Sequence, residues 1–227
     1  HPRDRRQRQM CIRDRFGAQA KAGYYTNNNG YKVSTSLYGE VTERLGLLAS
    51  FGYVEGDNIE DGRGTEQEYT AIEQQVALLK LSGQLNEQHY LSLSYDYRND
   101  DDTRLNRPHF QPSVKNVPLE QEADRHTFTA NHNFRYSDLL NLDTTLYSTA
   151  NRIAQKDHPQ CNTTDGTINT IGGKVINTAR LAQHTLITGA DYKRDKSEFE
   201  TNYSGQQNHE EKGTVYGLFV QDDWNIN

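Results

Sequence analysis

The chain has 227 residues, with 25 Lys and Arg against 31 Asp and Glu, and its formal net charge is −6. Only 33% of its residues are hydrophobic and its mean hydropathy is −0.97, whereas a soluble domain is about 45–50% apolar. No stretch approaches the roughly 18 apolar residues of a membrane-spanning helix, which excludes a helical membrane protein. The 14 Tyr, 7 Phe and 1 Trp argue against disorder, because disordered chains are poor in aromatic residues.

The first fifteen residues differ from the rest, with six Arg and two Asp and no apolar periodicity. A basic nucleic-acid-binding arm is one interpretation. We favour another, because residues 5–15 match the translation of a transposon-end sequencing adaptor, and Met10–Asp14 back-translates as ATG TGT ATA AGA GAC. We predict that residues 1–15 are a non-native, adaptor-derived segment and that residues 16–227 are the native domain.

Without that segment, the chain keeps 19 basic and 29 acidic side chains, a net charge of −10, and one cysteine, Cys161. The acidic balance argues against nucleic acid as a partner. The native part has no initiator Met and no signal peptide, so we expect an internal piece of a longer protein. A disulfide partner for Cys161 would then lie outside this sequence.

From Phe16 onwards, apolar residues recur at every second position, which is the period of a β-strand. In the first segment, for example, Phe16, Ala18 and Ala20 alternate with Gln19 and Lys21. We predict about ten strands in this way, near residues 16–24, 31–40, 45–53, 75–85, 88–98, 127–136, 140–146, 171–181, 184–194 and 213–226. The stretches 55–74, 99–123 and 154–169, and the stretch before Lys212, are predicted to be polar loops.

The predicted strands are about 10 residues long, which suits a tilted membrane-spanning strand better than a soluble one. Short linkers follow the second, fourth, sixth and eighth strands, and long polar linkers follow the third, fifth, seventh and ninth. By periodicity alone, a soluble sandwich could bury the apolar face equally well. Strand length and linker alternation favour an all-β, up-and-down antiparallel transmembrane β-barrel.

Three segments resemble barrel strands of TonB-dependent outer-membrane receptors. The most specific is Gly213–Ile226, GTVYGLFVQDDWNI; Thr188–Tyr192 and Tyr31–Glu40 are similar to other strands of that family. The resemblance implies about ten strands of a 22-stranded barrel, without its plug and later strands. It further implies a place in the outer membrane of a Gram-negative bacterium and contact with outer-membrane lipid.

The same resemblance implies energised uptake of an iron chelate, a siderophore or haem, driven by the TonB energy-coupling complex through the missing N-terminal parts. Two alternatives stay open: a passive porin-type channel, and a secreted soluble β-protein with a binding or structural role. We predict no enzyme and no cofactor, because no catalytic arrangement or phosphate-cradling glycine loop is present.

Candidate ligand contacts lie in the predicted external loops. Arg104 and Arg107 stand beside His109 and Phe110, and arginine could hold an anionic siderophore or a haem propionate through bidentate hydrogen bonds. Haem iron accepts histidine, so the loop residues His109, His158 and His209 are candidates to meet it.

Several of these residues also have simpler interpretations. The arginines could form loop salt bridges with Asp100–Asp102. That acidic run could bind Ca²⁺ through its carboxylates, although a solvated loop is favoured because it lacks the spacing of a known site. Among the remaining histidines, His132 and His184 fall on the apolar face of their strands, which indicates either a position at the membrane interface or a register displaced by one residue.

Overall fold

The computed structural model describes residues 16–105, 110–114, 116–156, 164–201 and 207–226. These residues form one antiparallel sheet of ten strands, and each strand pairs with its neighbours in sequence, which confirms the predicted up-and-down arrangement. The strands are β1 Phe16–Tyr25, β2 Gly30–Thr42, β3 Leu45–Gly56, β4 Ile72–Gln84, β5 His89–Leu105, β6 Pro118–Arg135, β7 Asn141–Gln155, β8 Thr164–Leu181, β9 His184–Thr201 and β10 Gln207–Trp224. Among the described residues, no helix is long and apolar enough to cross a membrane.

The later strands are longer than predicted. Residues 99–105 and 118–123, expected to be irregular, continue β5 and β6, and residues 164–169 and 207–212 belong to β8 and β10. These extensions are polar on both faces, so they lack the alternation of apolar and polar residues that marks a half-buried strand. Their ladders continue nonetheless, from Arg98 opposite Arg125 to Leu105 opposite Pro118.

Residues 43–44, 85–88, 136–140 and 182–183 form the connections at one edge, each two to five residues long. Residues 57–71, 106–117, 156–163 and 202–206 form those at the other edge. The first three of these are longer, as predicted, but 202–206 has only five residues, because β9 and β10 extend further than the apolar pattern indicates. We call the first edge the turn end and the second the loop end. The first link, residues 26–29, is a tight turn at the loop end, and Asn29 adopts φ 48° there, a conformation that asparagine tolerates well.

The register sorts the side chains onto two chemically different faces. The apolar face carries Leu79, Leu93 and Leu218, which are 50%, 44% and 87% exposed. The polar face carries mainly Ser, Thr, Asn, Asp and Lys, and it is cross-linked by side-chain hydrogen bonds. These bonds join Ser36 to Ser50 at 2.8 Å, Thr145 to Asn131 at 2.9 Å and Thr170 to Asp195 at 2.6 Å.

The strands are inclined to the line of turns. One row of directly opposed residues crosses the sheet through Leu45, Gly83, Leu91, His132, Thr144, Val175 and Ala190. Leu45 begins β3, whereas Ala190 lies six residues beyond the start of β9, so the turns shift by one residue per strand. At about 3.3 Å per residue and about 4.8 Å between strands, the tilt is about 35°, as in outer-membrane barrels.

Two aromatic belts follow this tilt along the apolar face. The lower belt, near the turn end, contains Phe16, His89, Phe134, Tyr136 and Trp224; the upper belt contains Tyr24, Tyr31, Tyr53, Tyr95, Tyr97, Phe128, Tyr192 and Tyr216. Within β1, β5 and β10 the belts are eight residues apart (Phe16 to Tyr24, His89 to Tyr97, Trp224 to Tyr216). Eight residues tilted by about 35° span about 22 Å of height, close to the roughly 25 Å apolar band of outer-membrane barrels.

The predicted interfacial histidines lie at the lower belt. His132 Nε2 is 2.9 Å from Nδ1 of His89, and the two rings stack. His184 stacks on Trp224 with ring centroids 5.5 Å apart, and its Nδ1 is 2.8 Å from an Asp222 carboxylate oxygen. Each imidazole ring therefore has a polar partner at the edge of the apolar band. Neither histidine lies at the centre of that band, where a polar ring would be unfavourable.

The sheet encloses almost no core. Among the described residues, only the apolar side chains of Leu119 and Ala179 are buried. The accessible surface is 16705 Å², whereas a compact monomer of this mass exposes about 10,500 Å². The apolar face is therefore not covered by the chain itself and needs an apolar environment.

A charge placed midway between the belts should be costly on one face only. Leu93 lies halfway between His89 and Tyr97 on the apolar face, and Ser94 follows it on the polar face. We expect Leu93→Arg to destabilise the lipid-inserted protein by about 2–4 kcal/mol, the cost of arginine at the bilayer midplane. The matched control Ser94→Arg should cost clearly less in the same denaturant titration. Equal costs would contradict a lipid-facing apolar face.

Candidate functional site

The predicted ligand contacts are gathered at the loop end, as far as the structure describes them. Arg104 is a strand residue of β5, and His209 is a strand residue of β10 opposite Phe199 on the polar face, so neither lies in a loop as predicted. Their strands extend further than the apolar pattern indicated. Phe110 lies in the linker between β5 and β6 and is 54% exposed.

Three other candidates, Arg107, His109 and His158, lie outside the described residues, as does Cys161. Their roles as ligand contacts stay predictions.

A charge ladder occupies the polar face near the loop end. It consists of Asp96, Arg98, Asp100, Asp102 and Arg104 at alternate positions of β5, together with Arg125 of β6. Arg125 pairs with Asp96 at 3.7 Å, and Arg98 and Arg104 reach Asp100 at 3.8 and 3.6 Å. Three carboxylates thus balance three guanidinium groups, and the ladder has no net charge.

The pairing of Arg104 with Asp100 and Asp102 matches the salt-bridge interpretation of this arginine. Its Nη1 lies 3.1 Å from Asp102, and the two side chains are only 25% and 16% exposed. Asp96, Arg98 and Arg125 are not among the predicted site residues. Their only signal in the sequence is a charged side chain at every second position of β5, which the hydrophobic period does not register.

The acidic run cannot act as a single calcium site. Successive side chains of a strand point to opposite faces, so Asp100 and Asp102 lie on the polar face and Asp101 lies on the other. Within the described residues, no group of three or more His, Cys, Asp or Glu side chains is arranged to hold a metal ion.

Arg104 also anchors the long linker between β3 and β4. Its guanidinium donates to the backbone carbonyls of Ala71 and Tyr69, the latter at 3.3 Å. Tyr69 has φ 65°, a conformation that is unfavourable for a bulky side chain. The two hydrogen bonds hold the end of the linker against β5 and offset that cost.

The other end of the same linker rests on the first turn. Asn27 bonds both backbone groups of Glu60, through its Nδ2 at 2.8 Å and its Oδ1 at 3.2 Å. Within the linker, Asp61 accepts backbone N–H bonds from Thr65 and Arg63, which lower the pKa of its carboxyl. Residues 57–71 are therefore held at both ends and by an internal turn.

An acidic cavity of about 380 Å³ opens above the upper belt, beside the charge ladder. The acidic residues that line it are Glu55, Asp57, Glu73, Asp101, Asp102 and Glu120, and of these Asp102 also belongs to the charge ladder. Hydroxyl hydrogen bonds from Tyr31 and Tyr53 lower the pKa of Glu55, so this carboxylate keeps its charge in mildly acidic solution. The loop end thus carries negative potential on its outer side and balanced charge on its polar face.

No family model matches the sequence, and no curated protein sequence matches it. Solved structures do resemble it. The FrpB iron transporter from Neisseria meningitidis (F3-3 variant) has a TM-score of 0.82 and 16% identity over 95% of this chain and 39% of its own. The copper transporter OprC has a TM-score of 0.71 and 14% identity over 94% of this chain and 35% of its own.

FpvA of P. aeruginosa, in complex with a heterologous ferric pyoverdine, has a TM-score of 0.65 and 14% identity over 92% of this chain and 34% of its own. The chain therefore spans about two fifths or less of the length of these proteins. At such identities the likeness establishes the fold. The resemblance to TonB-dependent receptors is confirmed at that level, and these neighbours are transporters and receptors rather than enzymes.

Removing the Arg104 anchor should loosen the linker selectively. We expect Arg104→Ala to speed amide hydrogen exchange of residues 57–71 by about tenfold or more, because hydrogen bonds of a charged donor contribute about 1.5–3 kcal/mol. Arg98→Ala is the control, since Arg98 belongs to the same ladder but does not contact the linker. Mass spectrometry of peptic peptides measures both variants. Equal exchange in R104A and R98A would contradict the anchoring role.

Proposed function

We propose that this chain forms ten strands of the barrel of a TonB-dependent receptor in the outer membrane of a Gram-negative bacterium. Residues 1–15 would be adaptor-derived, and residues 16–227 would be the partial barrel. The full receptor would import an iron chelate, a siderophore or haem, with energy supplied by the TonB complex. The superposition of the ten strands on FrpB is the observation that carries this proposal.

The distribution of polar and apolar side chains over the two faces supports a transport role for this sheet. Aromatic belts bound an apolar face of bilayer height, and the opposite face carries mainly polar side chains. In a closed barrel that face would line the lumen, where a hydrophilic chelate can pass. The charge ladder would stand near the external mouth, where a captured ligand enters.

Arg104, Arg107, His109, Phe110, His158 and His209 are proposed to contact the ligand. The position of His209 on the polar face supports its part in this set. Arg104 contributes chiefly by shaping the linker, since Asp100, Asp102 and two carbonyls already satisfy its guanidinium.

Uptake by cells tests the function directly. A strain deleted for the complete gene should lose energised accumulation of one ⁵⁵Fe-labelled chelate from a panel of ferric siderophores and haem, and plasmid-borne wild type should restore it. A protonophore should abolish the uptake, because TonB transmits the energy of the inner membrane. Copper belongs in the panel, since OprC is a copper transporter.

The same experiment separates the alternatives. A passive channel would pass ligand in the presence of the protonophore, and a secreted soluble protein would leave uptake unchanged when deleted. Either result would contradict the proposed function.

Removal of the loop-end histidines tests the proposed contacts. If the ligand is haem, His109→Ala combined with His209→Ala should weaken binding by roughly tenfold or more, as expected for loss of an iron ligand. His184→Ala is the control, because His184 lies at the lower belt on the opposite face. Haem titration of the purified complete protein, followed by absorbance, measures both. If the double variant and His184→Ala bound haem with equal affinity, His109 and His209 would not be ligand contacts.

A further inference from the structure

Three cations stand together just above the upper belt on β9 and β10. Arg194 and Lys196 follow Tyr192 on the apolar face of β9, and Lys212 lies directly opposite Lys196 on β10. The belt beneath them is a tyrosine pair, Tyr192 and Tyr216, with ring centroids 5.4 Å apart. We call Arg194, Lys196 and Lys212 the basic patch. The belt tyrosines mark the level of the lipid headgroups, so these cations lie at the height of lipid phosphates.

The basic patch is incompletely neutralised. Lys196 pairs with Glu198 at 2.7 Å, and Lys212 pairs with Glu210, which also lies 4.0 Å from Lys196. Both carboxylates lie one row farther from the membrane than the lysines. Arg194 has no ion-pair partner within the described part of the chain. Two carboxylates therefore serve the two lysines, and a further anion would be stabilising chiefly beside Arg194.

The charge of the basic patch differs from that of other strands at the same height above the upper belt. Over β3 to β6 the corresponding height above the belt carries carboxylates, among them Glu55, Glu73, Asp101 and Glu122. On the same face, Arg152 of β7 and Lys156, just after that strand, are paired with Asp165 and Glu120. The basic patch therefore differs from these strands in carrying Arg194, which has no ion-pair partner among the described residues.

An apolar depression of about 420 Å³ lies directly below the basic patch. It forms because Gly173 and Ala190 are small, while Leu146, Ile171, Val175 and Tyr192 stand around them. Arg194 is directly opposite Ile171, at the upper edge of the depression. The apolar depression is suited to an acyl chain of an anionic lipid, and the three cations above it are suited to the phosphate of that lipid.

We propose that β7 to β10 hold one phosphate-bearing lipid on the outer surface of the barrel. Its phosphate lies among Arg194, Lys196 and Lys212, and an acyl chain fills the depression at Gly173. This inference rests on the proposed function only in placing the apolar face in the outer membrane.

Native mass spectrometry of the complete protein in non-ionic detergent tests the site. Dioleoyl phosphatidic acid is the probe, and dioleoyl phosphatidylcholine, which has no net charge, is the reference lipid. Each basic side chain near an anionic surface is worth roughly fivefold in affinity. We therefore expect the wild type to retain phosphatidic acid in preference, and Arg194→Gln/Lys196→Gln/Lys212→Gln to lower that retention by tenfold or more.

Two further variants control for charge and shape. Lys21→Gln/Lys32→Gln/Lys80→Gln makes the same change of net charge on the polar face, and it should leave retention unchanged. Ala190→Leu fills the depression without altering charge, and it should lower retention of the long-chain lipid but not binding of inorganic phosphate. Heat-modifiable electrophoretic mobility verifies that each variant is folded.

Three outcomes would overturn the lipid site. They are equal retention of the two lipids by wild type, equal losses in the two triple variants, and displacement of the lipid by inorganic phosphate together with wild-type behaviour of A190L. The last would indicate a site for free phosphate.

Chelate uptake by the basic-patch variant is expected to stay at the wild-type level, so failure of the lipid site leaves the proposed function intact. Failure of the wild type to insert into membranes would instead defeat the proposed function.

Discussion

The register of the antiparallel ladder is the constraint on which the other features depend. Side chains alternate between faces with a period of two, so a slip of one residue would move Leu93 to the polar face and Ser94 to the apolar face. An unbroken register from Phe16 to Trp224, apart from one irregularity between Glu40 and Thr42, therefore produces both faces at once. It also aligns the aromatic residues of separate strands into two belts.

The chain by itself does not cover the apolar face of the sheet or pair its two edge strands, as far as the described residues go. The structure has almost no core, and within the described residues β1 and β10 each pair along one edge only. Unpaired strand edges are untenable within lipid, so further strands must complete the wall if the apolar face lies in a bilayer. A tilt of about 35°, set by a shift of one residue per strand, is the inclination that barrel closure requires. The fold, the strand tilt and the spacing of the aromatic belts thus all support a sheet that forms part of a membrane-spanning β-barrel.

The central part of each strand could be predicted from sequence, and the loop end could not. Leu91, Leu93 and Tyr95 alternate with serines and Asp96, so the hydrophobic period was visible. Beyond Arg98 the same strand carries charges on both faces, and the apolar signal ends although the ladder continues. For the same reason the sequence predicts a loop at His209 and a compact acidic run at Asp100–Asp102, whereas His209 lies in β10 and the three aspartates are divided between two faces of β5. The anchoring of residues 57–71 by Arg104 depends on contacts between distant segments, which no local pattern records.

Residue-by-residue solvent access along β5 tests the central claim most directly. Spin labels would be placed singly at residues 91–96 of the complete protein in lipid bilayers, in a background from which Cys161 and any other native cysteine have been removed. The account predicts high accessibility to oxygen at positions 91, 93 and 95, and high accessibility to a water-soluble nickel complex at positions 92, 94 and 96. Accessibility without a period of two, or with the two faces exchanged, would contradict a wall with one side in lipid and one in water.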